Sequence, residues 1–369
     1  MKKFILITGA DGFIGKNLSI RLGELSNLQV MKFVRGDSLE LLSQMLLKAD
    51  LVINLAGENR PHNPLDLNQN QKIVKNICDI LKFKNRKLPI IHTSSVQIKF
   101  NNPYGKSKLE SEEILAEYAE EAGGAVVIYR LPGVFGKWCK PNYNSVVATF
   151  CYNVARDIDI EIHDPLFILD LVYIDDFLNS ILKIIDSSPI GFNIVEVTPV
   201  HKISVGELAD TIKSFKKMRT NFYIGNTGSG LLRALYSTFI SYLPSDQFVY
   251  NLPIAEDNRG IFVETIKSVD FGQFSYFTAK PGVTRGSHYH HTKTEKFVVV
   301  KGLMLMRQKN LISNEFFEVT LNSKNPQVVE SIPGWAHQIT NIGKDEAIVM
   351  IWANEIFDYK QPDCIASEV

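Results

Sequence analysis

Residues 5–15 read ILITGADGFIG, a short apolar run that leads through a glycine-rich turn into a second apolar stretch. The first run is typical of a buried strand, and residues from about 13 to 25 have a helical pattern. Gly9, Gly12 and Gly15 lie where glycine lets the backbone turn tightly and approach a pyrophosphate closely. The helix would add N–H donors and a partial positive charge. This unit predicts a nucleotide-binding domain, although the GxxGxxG spacing is also compatible with turn glycines alone.

Further strands and helices alternate along the first part of the chain. Apolar runs typical of buried strands occur at 28–34, 50–57, 89–95 and 125–136. Helical patterns separate them, most clearly at 102–124, so we predict a doubly wound α/β parallel sheet. From about residue 255, short β-rich segments without a helical period predict an all-β barrel or sandwich. We expect domains at 1–243 and 246–369.

The composition argues against several kinds of partner and location. Lys+Arg and Asp+Glu both number 40 among 369 residues, so no basic field favours nucleic acid or an anionic membrane. Four scattered cysteines form no CxxC pair, which suits a reducing compartment. The N-terminal apolar run stops at Thr8, short of the roughly 7–15 residues of a signal peptide. We expect a cytoplasmic protein with no membrane insertion and no nucleic-acid partner.

A candidate catalytic pair lies in YGKSK at 104–108. Tyr104 and Lys108 are four residues apart, so on a helix both project from one face. A nearby ammonium lowers the pKa of a phenol, which makes Tyr104 a usable acid or base near neutral pH. Ser95 ends the preceding predicted strand, where ligands bind in such sheets, and Ser94 is the alternative.

With NLAG at 54–57 and TSS at 93–95, these features make roughly residues 1–243 resemble the extended short-chain dehydrogenase/reductase family. Most members have a Rossmann fold and act on nucleotide sugars. The resemblance implies that Tyr104 gives a proton to the substrate oxygen and Ser95 holds the carbonyl. Lys108 would orient the cofactor ribose and lower the pKa of Tyr104. The implied cofactor contacts are Gly9, Gly12, Phe13, Ile14, Gly15, Arg35, Leu55, Ala56, Gly57, Tyr104 and Lys108.

Arg35 indicates which nicotinamide cofactor is used. It stands at the end of the second predicted strand, where an acidic residue would hold the ribose 2′-hydroxyl of NAD. A guanidinium can pair with a 2′-phosphate, so we predict NADPH, with a merely solvated arginine as the alternative.

Residues 282–302, GVTRGSHYHHTKTEKFVVVKG, contain a candidate metal site. His288 and His290 share one face of a strand, and Glu295 can return to the same cavity from the next strand. His337 follows in PGWAHQITN, and three histidines with one carboxylate suit zinc or another divalent transition metal. Both motifs resemble those of the cupin barrels, across about 280–341. A metal-free site and surface histidines are the alternatives.

The segments EDNRGIFVET and VTRGSHYH also resemble the deoxysugar 3,5-epimerases, cupin-like enzymes of nucleotide-linked 4-keto sugars. That resemblance implies His288 as the general base and Lys296 as the residue that stabilises the enolate. His288 therefore has two candidate roles, metal ligand or base, and the sequence does not choose between them.

Both halves suit a UDP-linked 4-keto-6-deoxy N-acetylamino sugar. A 4-keto group acidifies the C3 hydrogen, so the second domain could epimerise C3 and the first could reduce C4. Val96 and Gln97 replace the Asp-Glu pair of the family's 4,6-dehydratases, which disfavours dehydration. The whole chain resembles the bifunctional enzymes of capsular polysaccharide (UDP-N-acetyl-L-fucosamine precursor) synthesis. Those enzymes convert UDP-2-acetamido-2,6-dideoxy-β-L-arabino-hexos-4-ulose to UDP-N-acetyl-6-deoxy-L-talosamine.

Two other functions stay open. One is a single-function NADPH-dependent reductase whose cupin half serves dimerisation, and the other is an NAD-dependent UDP-sugar 4-epimerase with tightly held cofactor. We also expect a homodimer or higher homo-oligomer.

Overall fold

A computed structural model describes residues 2–59, 67–187 and 189–369. The chain forms two compact units, Met1–Lys213 with Gly230–Pro244, and Ser214–Ser229 with Ser245–Val369. Residues 214–229 join the second unit because the backbone around Phe222 and Ile224 pairs with Lys267. The division predicted from the sequence, 1–243 and 246–369, stays a prediction.

The first unit contains helices and mostly parallel strands. Its strands are β1 (Lys3–Thr8), β2 (Leu28–Phe33), β3 (Leu51–Asn54), β4 (Ile90–Ser95), β5 (Val126–Leu131), β6 (Gly133–Phe135), β7 (Ile168–Tyr173), β8 (Phe192–Val195) and β9 (His201–Ser204). The helices are α1 (Phe13–Gly23), α2 (Leu39–Lys48), α3 (Gln69–Phe83), α4 (Pro103–Ala122), α5 (Val146–Ala155), α6 (Ile174–Ser187), α7 (Val205–Asn221), which continues into the second unit, and α8 (Gly230–Ile240).

The main sheet has the order β2-β1-β3-β4-β5-β8, and all its neighbouring strands are parallel. A smaller sheet has the order β6-β7-β9. In the main sheet the strand order reverses between β1 and β3, and ligands bind at such a switch point, outside the carboxyl ends of the strands. The predicted doubly wound α/β sheet is confirmed.

The apolar runs of the main sheet are buried because helices cover the sheet. Leu6, Val52 and Ile90 belong to one core cluster that also contains residues of α2, α3 and α4. Local contacts define the ends of α4: the Asn102 side chain accepts the Gly105 N–H at 2.8 Å, and Gly123 ends the helix in the left-handed conformation. Both features set where α4 begins and ends.

The second unit is all-β. Its strands are β10 (Ile254–Asp257), β11 (Gly260–Ser268), β12 (Gly272–Ala279), β13 (Thr284–Tyr289), β14 (Glu295–Lys301), β15 (Leu303–Asn310), β16 (Phe316–Asn322), β17 (Val328–Ser331), β18 (Trp335–Asn341), β19 (Ala347–Ala353) and β20 (Ile365–Ala366). They form antiparallel sheets in the orders β10-β11-β12-β19-β14-β17 and β16-β15-β18-β13-β20. Their shared core contains Phe277, Phe297, Met306 and Ile339. The predicted all-β, cupin-like architecture is confirmed.

Within the described residues, we find no helix that combines the length and apolarity needed to span a membrane.

Candidate functional site

The glycines after β1 pack against neighbouring backbone. Gly9 has a φ of +67°, and a Cβ there would lie 2.7 Å from the Ala56 nitrogen. A Cβ on Gly15 would lie 2.3 Å from the Gly9 carbonyl oxygen. A larger residue at Gly9 or Gly15 would therefore push the turn away from α1 or from the segment after β3. The structure thus brings the predicted cofactor residues at 9–15 and 55–57 together at the switch point.

The start of α1 fits a phosphate group. Gly12 is its N-cap and offers no side-chain cap, and the first turn has no acidic residue. The N–H groups of this turn, around Phe13 and Ile14, lie at the positive end of the helix dipole. Such a terminus binds anions, so the residues present suit a dinucleotide pyrophosphate.

Arg35 lies beside an acidic residue that the sequence interpretation missed. Its Nη2 is 2.7 Å from Glu58 Oε2, although its side chain is 87% exposed. Glu58 Oε1 accepts a hydrogen bond from Tyr143 at 3.1 Å, and the Glu58 N–H donates to Asn70 at 2.6 Å. Glu58 directly follows NLAG. Its partner Arg35 follows a different strand, so no local sequence pattern indicates their contact.

Tyr104, Lys108 and Ser95 lie close together at the carboxyl end of β4. The Lys108 ammonium donates to the Thr93 carbonyl at 3.0 Å and is 6.0 Å from the centroid of the Tyr104 ring. Burial lowers the pKa of Lys108 to about 8, against the opposing effect of Glu112. The Ser95 hydroxyl oxygen accepts the Gln97 N–H at 3.2 Å.

Gly105 determines how closely Tyr104 approaches Ser95. A Cβ at Gly105 would lie 2.2 Å from the Gln97 carbonyl oxygen, in the 3₁₀ turn Val96–Lys99. Only glycine therefore lets the start of α4 pack directly against this turn.

The pKa of Tyr104 departs from expectation. Burial raises it, and the hydrogen bond to Ser95 opposes this only partly. Lys108 is not among the causes of this shift in the cofactor-free site, where its ammonium donates to the Thr93 carbonyl. The alternative residue, Ser94, is also buried, and its hydroxyl has no hydrogen-bond partner.

The predicted metal residues converge in the second unit. One ligand atom from each of His288, His290, Glu295 and His337 lies within 4.8 Å of the others. His288 on β13 is opposite His337 on β18, and Glu295 begins β14. Glu295 Oε2 is 3.3 Å from Nε2 of both His290 and His337.

The cluster offers the kind of donor atoms that a transition metal requires. His288 Nε2 and His337 Nε2 are buried and form no hydrogen bond, which is rare unless another ligand satisfies them. Burial, reinforced by the other histidines, lowers the pKa of His288 to about 4, so its ring is neutral near pH 7. Burial alone would raise the pKa of Glu295, but contacts with His290 and His337 hold it below its usual range. Three imidazoles and a charged carboxylate suit zinc or another divalent transition metal.

A cavity of about 290 Å³ adjoins the cluster and contains a different lysine from the predicted one. Lys293 is buried in its wall, with Nζ 5.0 Å from the centroid of the Phe357 ring. Lys296 instead pairs with Glu330 on the other face of β14, because neighbouring strand residues point to opposite sides. The structure thus does not bring Lys296 to the cavity, and the enolate-stabilising role expected of it has no geometric support.

Comparisons with known proteins agree with both units. The NAD dependent epimerase/dehydratase family matches residues 5–195, and the polysaccharide biosynthesis C-terminal domain matches 255–365. A UDP-2-acetamido-2,6-beta-L-arabino-hexul-4-ose reductase of Pseudomonas aeruginosa is 45% identical over 366 residues, 99% of this chain and 98% of that protein. The capsular polysaccharide assembling protein CapF of Staphylococcus aureus has a crystal structure similar at a TM-score of 0.91. It is 41% identical, and the match covers 99% of this chain and 100% of CapF. A probable low-salt glycan biosynthesis epimerase, Agl13 of Haloferax volcanii, is 28% identical over 132 residues, 32% of this chain and 83% of Agl13.

Proposed function

Because the chain belongs to the NAD dependent epimerase/dehydratase family, we propose that it reduces the C4 ketone of a UDP-linked 4-keto-6-deoxy N-acetylamino sugar with NADPH. The observation that carries this proposal is the 45% identity, over nearly the whole chain, with a reductase named for such a sugar. We propose UDP-2-acetamido-2,6-dideoxy-β-L-arabino-hexos-4-ulose as the substrate and UDP-N-acetyl-6-deoxy-L-talosamine as the product. The similarity to CapF supports a role in capsular polysaccharide synthesis.

Reduction requires a proton on the ketone oxygen, and the first unit has a suitable donor. Tyr104 gives the proton, and the Ser95 hydroxyl holds the same oxygen by a hydrogen bond. The ammonium of Lys108 supplies positive charge beside the phenol as the phenol loses its proton. The reduced nicotinamide would supply the hydride, and the glycine turn with the start of α1 would hold its pyrophosphate.

We propose NADPH rather than NADH because Arg35 stands at the end of β2. A guanidinium there can form a charge-assisted pair with the 2′-phosphate. The ion pair with Glu58 keeps Arg35 beside the switch point, and the phosphate would compete with Glu58 for the guanidinium.

We propose that the second unit epimerises C3 of the same sugar. His290, Glu295 and His337 would hold a divalent transition metal, with His288 as the fourth ligand or as the general base. The metal would supply Lewis acidity in the cavity. Where His288 acts as the base, it takes the C3 proton, and a proton from solvent added to the opposite face inverts the centre. The Lys293 ammonium lies in the cavity wall, where it can stabilise negative charge on the enolate oxygen.

The direct test is NADPH oxidation by the purified full chain on the UDP-linked 4-keto sugar, with the product identified by NMR. We expect oxidation and a C3-inverted, C4-reduced product. Bound NAD with turnover that needs no added NADPH would instead support a UDP-sugar 4-epimerase. If turnover is unchanged after metal removal, the second unit has a structural role and takes no part in catalysis.

We further propose a cytoplasmic homodimer or higher homo-oligomer. All four cysteines are free, as a reducing compartment favours. The outward face of the six-stranded antiparallel sheet exposes an apolar patch that includes Val328 and Met350. Light scattering should give at least twice the chain mass, and replacing Val328 and Met350 by Lys should reduce it to that of one chain.

A further inference from the structure

The ring of His290 is held by backbone that lies 73 residues further along the chain. Its Nδ1 contacts the carbonyl oxygen of Asp363. A carbonyl oxygen only accepts hydrogen bonds, so Nδ1 must carry the proton. Nε2, which lies 3.3 Å from Glu295 Oε2, is then the nitrogen left to bind a metal in the cluster.

The side chain of Asp363 closes the turn that joins β13 to β14. Its Oδ1 accepts the His291 N–H at 2.8 Å, and its Oδ2 accepts the N–H groups of Thr292 at 2.8 Å and Lys293 at 2.9 Å. The Thr292 hydroxyl donates to Oδ2 at 3.1 Å. One carboxylate thus satisfies three consecutive backbone donors, an arrangement that fixes the turn rigidly.

The turn carries groups of the proposed centre, and the segment that holds it is itself fixed. His290 precedes the turn, Lys293 lies in it and Glu295 follows it. The segment around Asp363 continues into β20, which pairs with β13 so that Ala366 lies opposite His288. Asp363 therefore connects the end of the chain to the centre of the second unit.

We propose that Asp363 is a positioning residue for this centre, an inference that rests on the metal-dependent epimerase function proposed above. Its carbonyl keeps His290 in the Nδ1–H form, and its carboxylate holds the turn that carries Lys293. Replacing the carboxylate frees the turn and moves the Asp363 carbonyl away from His290, which weakens metal binding.

The test compares Asp363→Asn with Asp358→Asn in the full chain. At position 363, Asn replaces an acceptor oxygen by an NH₂ group that faces backbone N–H donors. Asp358 is the control because it is exposed and, among the described contacts, accepts only a local hydrogen bond from the Lys360 N–H. Equilibrium dialysis with Co²⁺ should give a dissociation constant raised ~10–100-fold in Asp363→Asn, the usual effect of losing an outer-shell partner. The visible Co²⁺ bands should shift in this variant. Asp358→Asn should bind Co²⁺ as the unmodified chain does.

A second measurement needs no variant at Asp363. In the metal-free, ¹⁵N-histidine-labelled chain, the His290 signal, assigned by its loss in His290→Ala, should show a proton on Nδ1. Unchanged Co²⁺ affinity and spectrum in Asp363→Asn, or a His290 ring protonated at Nε2 alone, would overturn the inference. If the unmodified chain binds no metal, the proposed function of the centre fails, and the protonated nitrogen of His290 still decides the positioning role.

Discussion

Replacing Gly105 by Ala should separate Tyr104 from Ser95 without removing a reactive group. The new Cβ would lie 2.2 Å from the Gln97 carbonyl oxygen, whereas ordinary contact begins at 3.4 Å, so the helix or the turn must move by 3.4 − 2.2 = 1.2 Å. A misplacement of about 1 Å can reduce catalysis ~10²-fold. Overpacking costs ~1–3 kcal/mol, but Ala recovers ~1 kcal/mol of helix propensity, so the fold should survive. We expect NADPH oxidation to fall ~10²-fold with a small change in melting temperature.

The assay is the initial rate of NADPH oxidation, with the melting temperature measured on the same preparation. Gly23→Ala is the matched control, because it also adds one methyl to a helix and its Cβ would have no atom within 4 Å. The control should keep full activity. Wild-type kcat and KM in Gly105→Ala would show that packing of α4 against the Val96–Lys99 turn does not position Tyr104.

Three further predictions concern single residues. Arg35→Ala should weaken NADPH binding about tenfold or more, from a pair worth ~1.5–3 kcal/mol, and leave NADH binding unchanged; equal Michaelis constants for both cofactors before and after the change would exclude a 2′-phosphate contact. His337→Ala should release the metal, as measured by metal analysis of the purified chain, and full retention would remove His337 from the ligand set. Because the pKa of Lys108 is about 8, its ammonium is lost as pH rises through that value, so kcat for reduction should fall above about pH 8. Lys108→Arg should move this alkaline limb to higher pH, and an unchanged limb would assign it to another group.

Local features of the fold were predictable from the sequence. Asn102 and Gly123 determine the ends of α4 through contacts within a few residues, so the local sequence alone indicates where the helix begins and ends. The spacing of His288, His290 and Glu295 combines strand alternation with one turn, which placed these side chains in one cavity. The parallel sheet followed from the alternation of apolar and helical stretches.

Features that depend on distant contacts were not predictable in this way. Lys293 lies in a turn, where strand alternation does not apply, so Lys296 was the more plausible cation by motif alone. Asp363 reaches His290 only because β20 pairs with β13. The pKa of Tyr104 depends on burial and on its hydrogen bond to Ser95. To predict any of these features, the positions of several strands must be known at once.

The central claim is that the two units carry separate steps, and C3 hydrogen exchange in D₂O tests it most directly. NMR of the 4-keto sugar follows exchange while absorbance follows NADPH in a parallel sample. Tyr104→Phe should reduce NADPH oxidation ~10²–10⁴-fold, because it loses the proton donor, yet still exchange the C3 hydrogen. The double variant His290→Ala with Glu295→Ala should lose exchange. Loss of exchange in Tyr104→Phe, or normal exchange in the double variant, would contradict the two-site account.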